Sequence, residues 1–327
     1  NEQAYCETCA SVGMVFWNQR MSALTGTAEY MYVLERSLYN GALDGLSLSG
    51  DRFFYGNPLA SRGQHQRREW FGTACCPANI ARLVASLGDY IYAYGDNAVF
   101  VNLYVGSNTS LNLKNGMVGL KMETNYPWEG KVKISIDPVK KSNFNLHLRL
   151  PGWMYDVMAA GRLYTVQQED GGGVLDHFDP VLLLNGKKIN YTIKNGYMVI
   201  GHDWRKGDQL EFEFPMEVKV IHARRELKQD QGRIAIQRGP LVYCVEGTDN
   251  DGKAWNIIVP EDTKFETIDY KVLDETVKAI TAEVPVVTVM DGGESLKTEK
   301  KKIVAIPYYT WANRGKNEMQ VWLPVRI

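Results

Sequence analysis

Glu7 and Cys9 lie two positions apart near the start of this chain, and Cys75 and Cys76 stand side by side far downstream. A carboxylate and three thiols are ligand types that zinc takes in tetrahedral sites. In an extended segment residues i and i+2 point to one face, whereas on a helix they diverge, so an extended lead-in would offer Glu7 and Cys9 to a single ion. Neither pair is a Cys-x-x-Cys knuckle, and spacing leaves two readings open: one metal centre joining the pairs, or unconnected core cysteines. A zinc ligated wholly by protein is usually structural. A thiolate kept deprotonated by the metal can also attack an electrophilic carbon and form a covalent intermediate. Spacing does not choose between those two roles.

The elements that must position these residues are helical. Pro77 suits the first turn of a helix, and Ile80, Leu83, Val84, Leu87 and Ile91 continue it as an apolar stripe. Cys75 and Cys76 are therefore expected at or just before its N-terminus, where the dipole and free N–H groups favour thiolate over thiol. Tyr30, Leu34 and Leu38 form a second stripe, and residues 10–21 read as a further helix that Gly13 weakens. Residues 45–59, with Gly50-Asp51 between short apolar runs, resemble a hairpin inserted between helices.

Near residue 95 the period changes to two. Residues 131–136, 144–150 and 209–214 alternate apolar and polar, and Asn185-Gly186, Asn195-Gly196 and Pro151-Gly152 are turn signals. Residues 170–173 read as a loop, and a polar stretch over 224–232 precedes further strands over 233–246. The pattern predicts antiparallel β-sandwiches, two in number. At 327 residues the chain is too long for one ordinary core.

Composition narrows the function classes. Hydrophobic residues at 45%, charged residues at 23% and a net charge of −1 describe a globular protein. There is no basic stripe to predict a nucleic-acid partner, and Lys300 to Lys302 reads as a solvated turn or strand end. No apolar run approaches the ~18 residues of a membrane span. An odd count of five cysteines does not read as a disulfide framework. Cys244 lies in an apolar strand-like run and Cys6 beside the first pair; both read as core residues. Asn1-Glu2-Gln3 shows no signal-peptide pattern and looks like the interior of a longer sequence.

Four segments then carry a resemblance: 5–11 (YCETCAS), 70–82 (WFGTACCPANIAR), 238–244 (RGPLVYC) and 307–314 (PYYTWANR). Together they resemble the zinc-dependent β-L-arabinofuranosidases of glycoside hydrolase family 127 and its relatives, in family order from one end of the chain to the other. The resemblance implies part of an (α/α)6 helical barrel over 1–95, a β-sandwich domain over 96–223 and a second over 224–327. It implies Zn2+ held by Glu7, Cys9, Cys75 and Cys76, with Cys75 as the nucleophile of a retaining double displacement. Tyr55, a half-buried strand aromatic by its own pattern, matches a family tyrosine that contacts sugar or sulfur. The implied substrate is a terminal β-L-arabinofuranosyl or closely related sugar of plant-type glycans, with no nucleic acid or membrane as partner.

One departure qualifies the match. The family's acid/base glutamate precedes the Tyr-x-Glu-Thr-Cys motif, and only four residues precede Tyr5. The expectation is a C-terminal portion whose partner is the N-terminal part of the same barrel, inactive when isolated. His65, His147, His177, His202 and His222 read as ordinary surface or strand residues. A non-catalytic carbohydrate-binding or scaffold module with structural zinc is the alternative; Trp128, Trp153 and Trp204 would then stack on sugar, although each reads first as packing. The compartment stays open between cytoplasm and periplasm.

Overall fold

A computed structural model describes residues 5–155, 163–166, 179–290 and 295–326. The residues 1–3 and 170–173 read above, and His177, lie outside them.

Helix α1 spans Thr8–Thr25 and stops where Gly26 takes a left-handed conformation, its N–H returning to the Ser22 carbonyl. Val12, Val15, Asn18 and Ser22 are buried along one face, whereas Met14, Trp17 and Leu24 are exposed on another. Helix α2 (Glu29–Arg36) buries Met31 and Leu34, then loosens into a π-helical turn over Ser37–Ala42 with Leu38 still in the core. Asn40 explains the loosening. Its side chain donates to the Arg36 and Pro240 carbonyls and accepts the Val242 N–H, fastening the turn to a distant strand. Helix α3 (Cys75–Ala85) buries Ile80 and Leu83. The stripe breaks after that: Val84 is exposed and Leu87 falls in a 3-10 turn, Leu87–Tyr90, because the helix ends at Ser86. These helices share one core with Tyr90 and Leu103. The expected hairpin over 45–59 is reduced to a tight turn at Gly50 and a single bridge between Leu46 and Phe53.

Two antiparallel-rich sheets follow. One has six strands, in the order Lys187–Ile189, Leu182–Leu184, Asp208–Glu213, Lys131–Pro138, Gly116–Thr124 and Ser107–Leu113. The other has five: Thr192–Lys194, Tyr197–Trp204, Ser142–Arg149, Ala98–Val101 and Tyr92–Gly95. Their alternating residues, among them Ile134, Ile136, Leu146, Leu148 and Leu210, meet in a single core. Asn185-Gly186 and Asn195-Gly196 have positive φ at both residues, the geometry that tight hairpins need. Pro151-Gly152 instead opens a 3-10 turn, where Gly152 lets the Tyr32 ring approach to within what a Cβ would occupy. Trp153 and Trp204 are buried in this core, which removes both as stacking platforms.

The third sheet joins eleven strands. Ile234, Ile236, Tyr243 and Val245 face one core and Ala235 and Cys244 the other, so both faces are apolar. The strand Val218–Ala223, which precedes the expected boundary at 224, pairs with Arg233–Arg238 in this sheet. Ala60–Arg62, from the helical region, pairs with Glu318–Gln320. A buried ion pair, Glu35 with Arg149, ties α2 to the first pair of sheets, and Glu35 also accepts the Tyr126 hydroxyl at 2.7 Å.

Candidate metal centre

Tertiary packing brings the two cysteine clusters together. Helices α1 and α3 lie against each other with their N-termini adjacent. Glu7 is the N-cap of α1, with extended backbone at φ −74° and ψ 136°, and Cys9 stands in the first turn. The extended lead-in therefore stops at Glu7. The two side chains converge because the chain changes from extended to helical between them, not because both sit on one strand face. Cys75 and Cys76 are the first two residues of α3, as the Pro77 signal requires.

One ligand atom from each of Glu7, Cys9, Cys75 and Cys76 lies within 4.8 Å of the other three. Sγ of Cys9 and Cys76 are 3.3 Å apart, those of Cys75 and Cys76 3.8 Å, and Glu7 Oε1 is 3.6 Å from Cys75 Sγ and 3.9 Å from Cys76 Sγ. A tetrahedron with zinc–sulfur bonds of about 2.3 Å has sulfur–sulfur edges of about 3.8 Å, and shorter zinc–oxygen bonds bring the mixed edges to about 3.5 Å. The donor set and its spacing fit that ion.

Two residues that the sequence reading left without a role hold the donors. The Tyr5 hydroxyl donates to Glu7 Oε2 at 2.6 Å, leaving Oε1 toward the thiols, and lies 3.3 Å from the Tyr55 hydroxyl. Asn79 donates Nδ2 to Cys9 Sγ at 3.2 Å. Both lie within the quoted motifs. The helical spacing of Asn79 from Cys75, four residues, was the signal that could have found it.

Charge in the cluster follows from these contacts. The Tyr5 hydrogen bond, with help from the thiols, holds the Glu7 carboxyl below its ordinary range. Burial pushes the Cys9 and Cys76 thiols up, Cys76 by more, so without a cation both keep their protons. A bound divalent cation reverses the balance. Cys6 is turned away, its carbonyl accepting the Asn57 N–H, and Cys244 is fully buried in the third sheet.

Tyr55 lies beside the cluster, with its carbonyl 3.9 Å from Cys76 Sγ. Its segment is held from both sides. Thr8 donates its N–H to the Tyr55 carbonyl and its hydroxyl to the Phe54 carbonyl. From the third sheet, Trp311 stacks on Phe54 at 5.2 Å and the Tyr308 hydroxyl donates to the Pro58 carbonyl. Arg67 lies over the other side of Phe54, bonded to Asp44 and to the Tyr309 and Trp311 carbonyls. A cleft of about 400 Å³ opens next to Tyr55, lined also by His65, Gln66, Arg68 and Phe71. His65, read as an ordinary surface residue, is half-buried there with its ring edge toward Trp311. A larger cleft of about 510 Å³ between Trp128 and Met216 contains none of the cluster residues.

Comparison with known proteins gives the family. Residues 1–89 match the β-L-arabinofuranosidase GH127 catalytic domain, 98–216 the GH127 middle domain and 218–324 the family 127 C-terminal domain. A non-reducing end β-L-arabinofuranosidase of Bifidobacterium longum is 32% identical over 98% of this chain and 49% of its own length. Among solved structures, a GH127 β-arabinofuranosidase superposes on the whole chain with a TM-score of 0.93 at 37% identity, over 50% of that protein. A GH127 β-L-arabinofuranosidase from Geobacillus stearothermophilus T6 does so with a TM-score of 0.86 at 37% identity, over 51% of its length. The chain thus spans about half the length of these relatives. With three family models in succession across the helices, the paired sheets and the eleven-stranded sheet, the chain belongs to glycoside hydrolase family 127.

Proposed function

We propose that this chain carries the thiolate half of a retaining glycosidase active site that releases terminal β-L-arabinofuranosyl residues, or a closely related sugar, from plant-type glycans. The observation that carries this reading is the meeting of Glu7, Cys9, Cys75 and Cys76 at the adjoining ends of α1 and α3. In this reading helices α1 to α3 are a share of an (α/α)6 barrel, and the paired sheets, beginning at Tyr92, and the eleven-stranded sheet, which takes in Val218–Ala223, are the β domains supporting it. The exposed Met14, Trp17 and Leu24 of α1 are the face that the rest of the barrel would cover.

Glu7, Cys9, Cys75 and Cys76 would hold Zn2+. When bound, zinc supplies the charge that keeps the Cys75 sulfur a thiolate at neutral pH. Cys75, less buried than Cys76, places its electron pair on the anomeric carbon as the bond to the leaving oxygen breaks. Water then attacks that carbon and gives its proton to the base left when the leaving oxygen was protonated; the carbon–sulfur bond breaks, the sulfur recovers its electron pair, and two inversions leave the configuration retained. Tyr5 keeps Glu7 oriented, Asn79 keeps Cys9 oriented, and the Tyr55 hydroxyl faces the sugar. Glu69 is paired with Arg52 and is not assigned as the proton donor. That donor comes from outside these residues in this reading, so the isolated chain hydrolyses no aryl β-L-arabinofuranoside at a measurable rate.

The test uses the full-length zinc-loaded protein and an arabinofuranose-shaped electrophile, with peptide mapping of the labelled sulfur. Cys75 is expected to carry the label, and Cys75→Ser to lose turnover with its circular dichroism unchanged. Label on another cysteine, or turnover by Cys75→Ser, overturns the assignment.

A further inference from the structure

We infer that the cleft between Tyr55 and Arg68 is the subsite for the leaving sugar, and that Arg68 with Gln66 selects a hydroxyl-rich leaving group over an aryl one. The inference rests on the proposed glycosidase reading, which says where the bond breaks but not what recognises the departing half.

Position comes first. Tyr55 belongs to both the cluster and the cleft: its hydroxyl is 3.3 Å from that of Tyr5, which holds Glu7, while its ring forms one wall of the cleft. Phe71 meets that ring edge-on, with centroids 6.0 Å apart and planes at 75°. None of Glu7, Cys9, Cys75 and Cys76 lines the cleft, so it adjoins the cluster through Tyr55 and is not the cluster's own site. Its volume, about 400 Å³, falls in the range of small-ligand sites, about 300–1,000 Å³.

The chemistry of the wall is that of hydroxyl recognition. Two neighbouring arginines behave oppositely. Arg67 is buried, and its guanidinium is used on Asp44 and two carbonyls of the third sheet. Arg68 is fixed by its backbone, which exchanges both hydrogen bonds with Phe53 at 2.7 and 2.9 Å, yet its side chain is exposed and has no partner among the described residues. Alternation along an extended segment sends the first inward and the second into the cleft. Gln66, two positions earlier, is also exposed and lines the same wall. A guanidinium on backbone paired with Phe53 and a side-chain amide two residues away, beside the edge-on rings of Tyr55 and Phe71, suit the hydroxyls and apolar face of one sugar ring. Among the described residues no carboxylate lines the cleft to compete for Arg68.

The test compares two substrates on the full-length zinc-loaded enzyme: a β-L-arabinofuranosyl disaccharide, and an aryl β-L-arabinofuranoside whose leaving group has no hydroxyls to bind. Arg68→Met is expected to lower kcat/KM for the disaccharide about tenfold more than for the aryl substrate, the size of one lost charge-assisted hydrogen bond. Gln66→Ala is expected to act in the same direction by less. Equal losses on both substrates, or none on the disaccharide, overturn the subsite. Binding of free L-arabinose to the same proteins, followed by saturation-transfer NMR, separates this from the glycosidase reading. If the wild type hydrolyses neither substrate but binds the sugar, and Arg68→Met abolishes that binding, the cleft stands as a sugar site and the reaction is reassigned. With the sugar position beside Cys75 blocked by the arabinofuranose-shaped electrophile, sugar binding insensitive to Arg68→Met removes the subsite whatever the reaction.

Discussion

Replacing Trp311 asks whether the C-terminal sheet keeps the metal centre in shape. Trp311 is fully buried and its ring stacks on Phe54, centroids 5.2 Å apart, one residue from Tyr55. Truncating such a side chain to alanine costs about 3–5 kcal/mol of stability, of which ring pairing accounts for about 0.5–1.5 kcal/mol. On the opposite side the same segment keeps three hydrogen bonds to the start of α1: Thr8 N–H to the Tyr55 carbonyl at 2.9 Å, the Thr8 hydroxyl to the Phe54 carbonyl at 2.8 Å, and Asn57 N–H to the Cys6 carbonyl at 2.8 Å. At about 1 kcal/mol each they contribute about 3 kcal/mol, comparable with what is lost. The segment therefore relaxes toward the vacated space and draws Thr8 and its neighbours Glu7 and Cys9 with it. A displacement worth about 1.4 kcal/mol at the ligands weakens zinc tenfold. The assay is competition for zinc against a chromophoric chelator, below the unfolding temperature of every variant. Trp311→Ala is expected to bind zinc at least tenfold more weakly, and Trp311→Phe, which keeps a ring against Phe54, to restore the affinity. Trp204→Ala is the control: Trp204 is equally buried, packed on Phe144 in the paired sheets, and should lose stability without losing zinc. Wild-type affinity in Trp311→Ala, or equal weakening in Trp204→Ala, refutes the argument.

Three other outcomes are expected. Glu35→Gln leaves the Arg149 charge buried without its counterion and should cost about 3–5 kcal/mol in urea unfolding, whereas the double variant Glu35→Leu with Arg149→Met should be closer to wild type than either single change; strict additivity would show that the pair is not coupled. Burial raises the Asp44 carboxyl from its ordinary 3.8 to about 7 despite Arg67, so the folded state binds a proton that the unfolded state releases. The stability this adds is complete below about pH 4 and is lost as pH rises to about 7, with a slope approaching about 1.4 kcal/mol per pH unit; Asp44→Asn should remove that slope, and an unchanged pH profile would reject the shift. Gly45→Ala would place a Cβ 2.3 Å from Cγ2 of the buried Thr8, which lies between Glu7 and Cys9, so zinc affinity should fall more than with Gly88→Ala, where a Cβ meets nothing; equal affinities would refute the contact.

The elements and ligand types were legible in the chain because they are local properties. Alternation over 131–136 and 144–150 follows from the two-residue period of a strand; the first lies within the strand Lys131–Pro138, and the second runs one residue, Leu150, beyond Ser142–Arg149. Pro77 marked the start of α3 because a proline lacks only an N–H that the first turn does not use. The stripe through Ile91 overran the true helix, since apolar spacing says which residues are buried and not which element buries them. The types of Glu7, Cys9, Cys75 and Cys76 left a metal centre and unconnected core cysteines both open, because 66 positions separate Cys9 from Cys75 and no local rule closes that distance. Packing of α1 on α3 does. Tertiary structure alone placed Cys9 inside the helix, aimed the Tyr5 hydroxyl at Glu7 and Asn79 at Cys9, and turned Arg67 inward while Arg68 faces the cleft. Each of these depends on which surface a neighbouring element covers. A residue's own chemistry states what it can bind, while burial by distant parts of the chain decides what it meets.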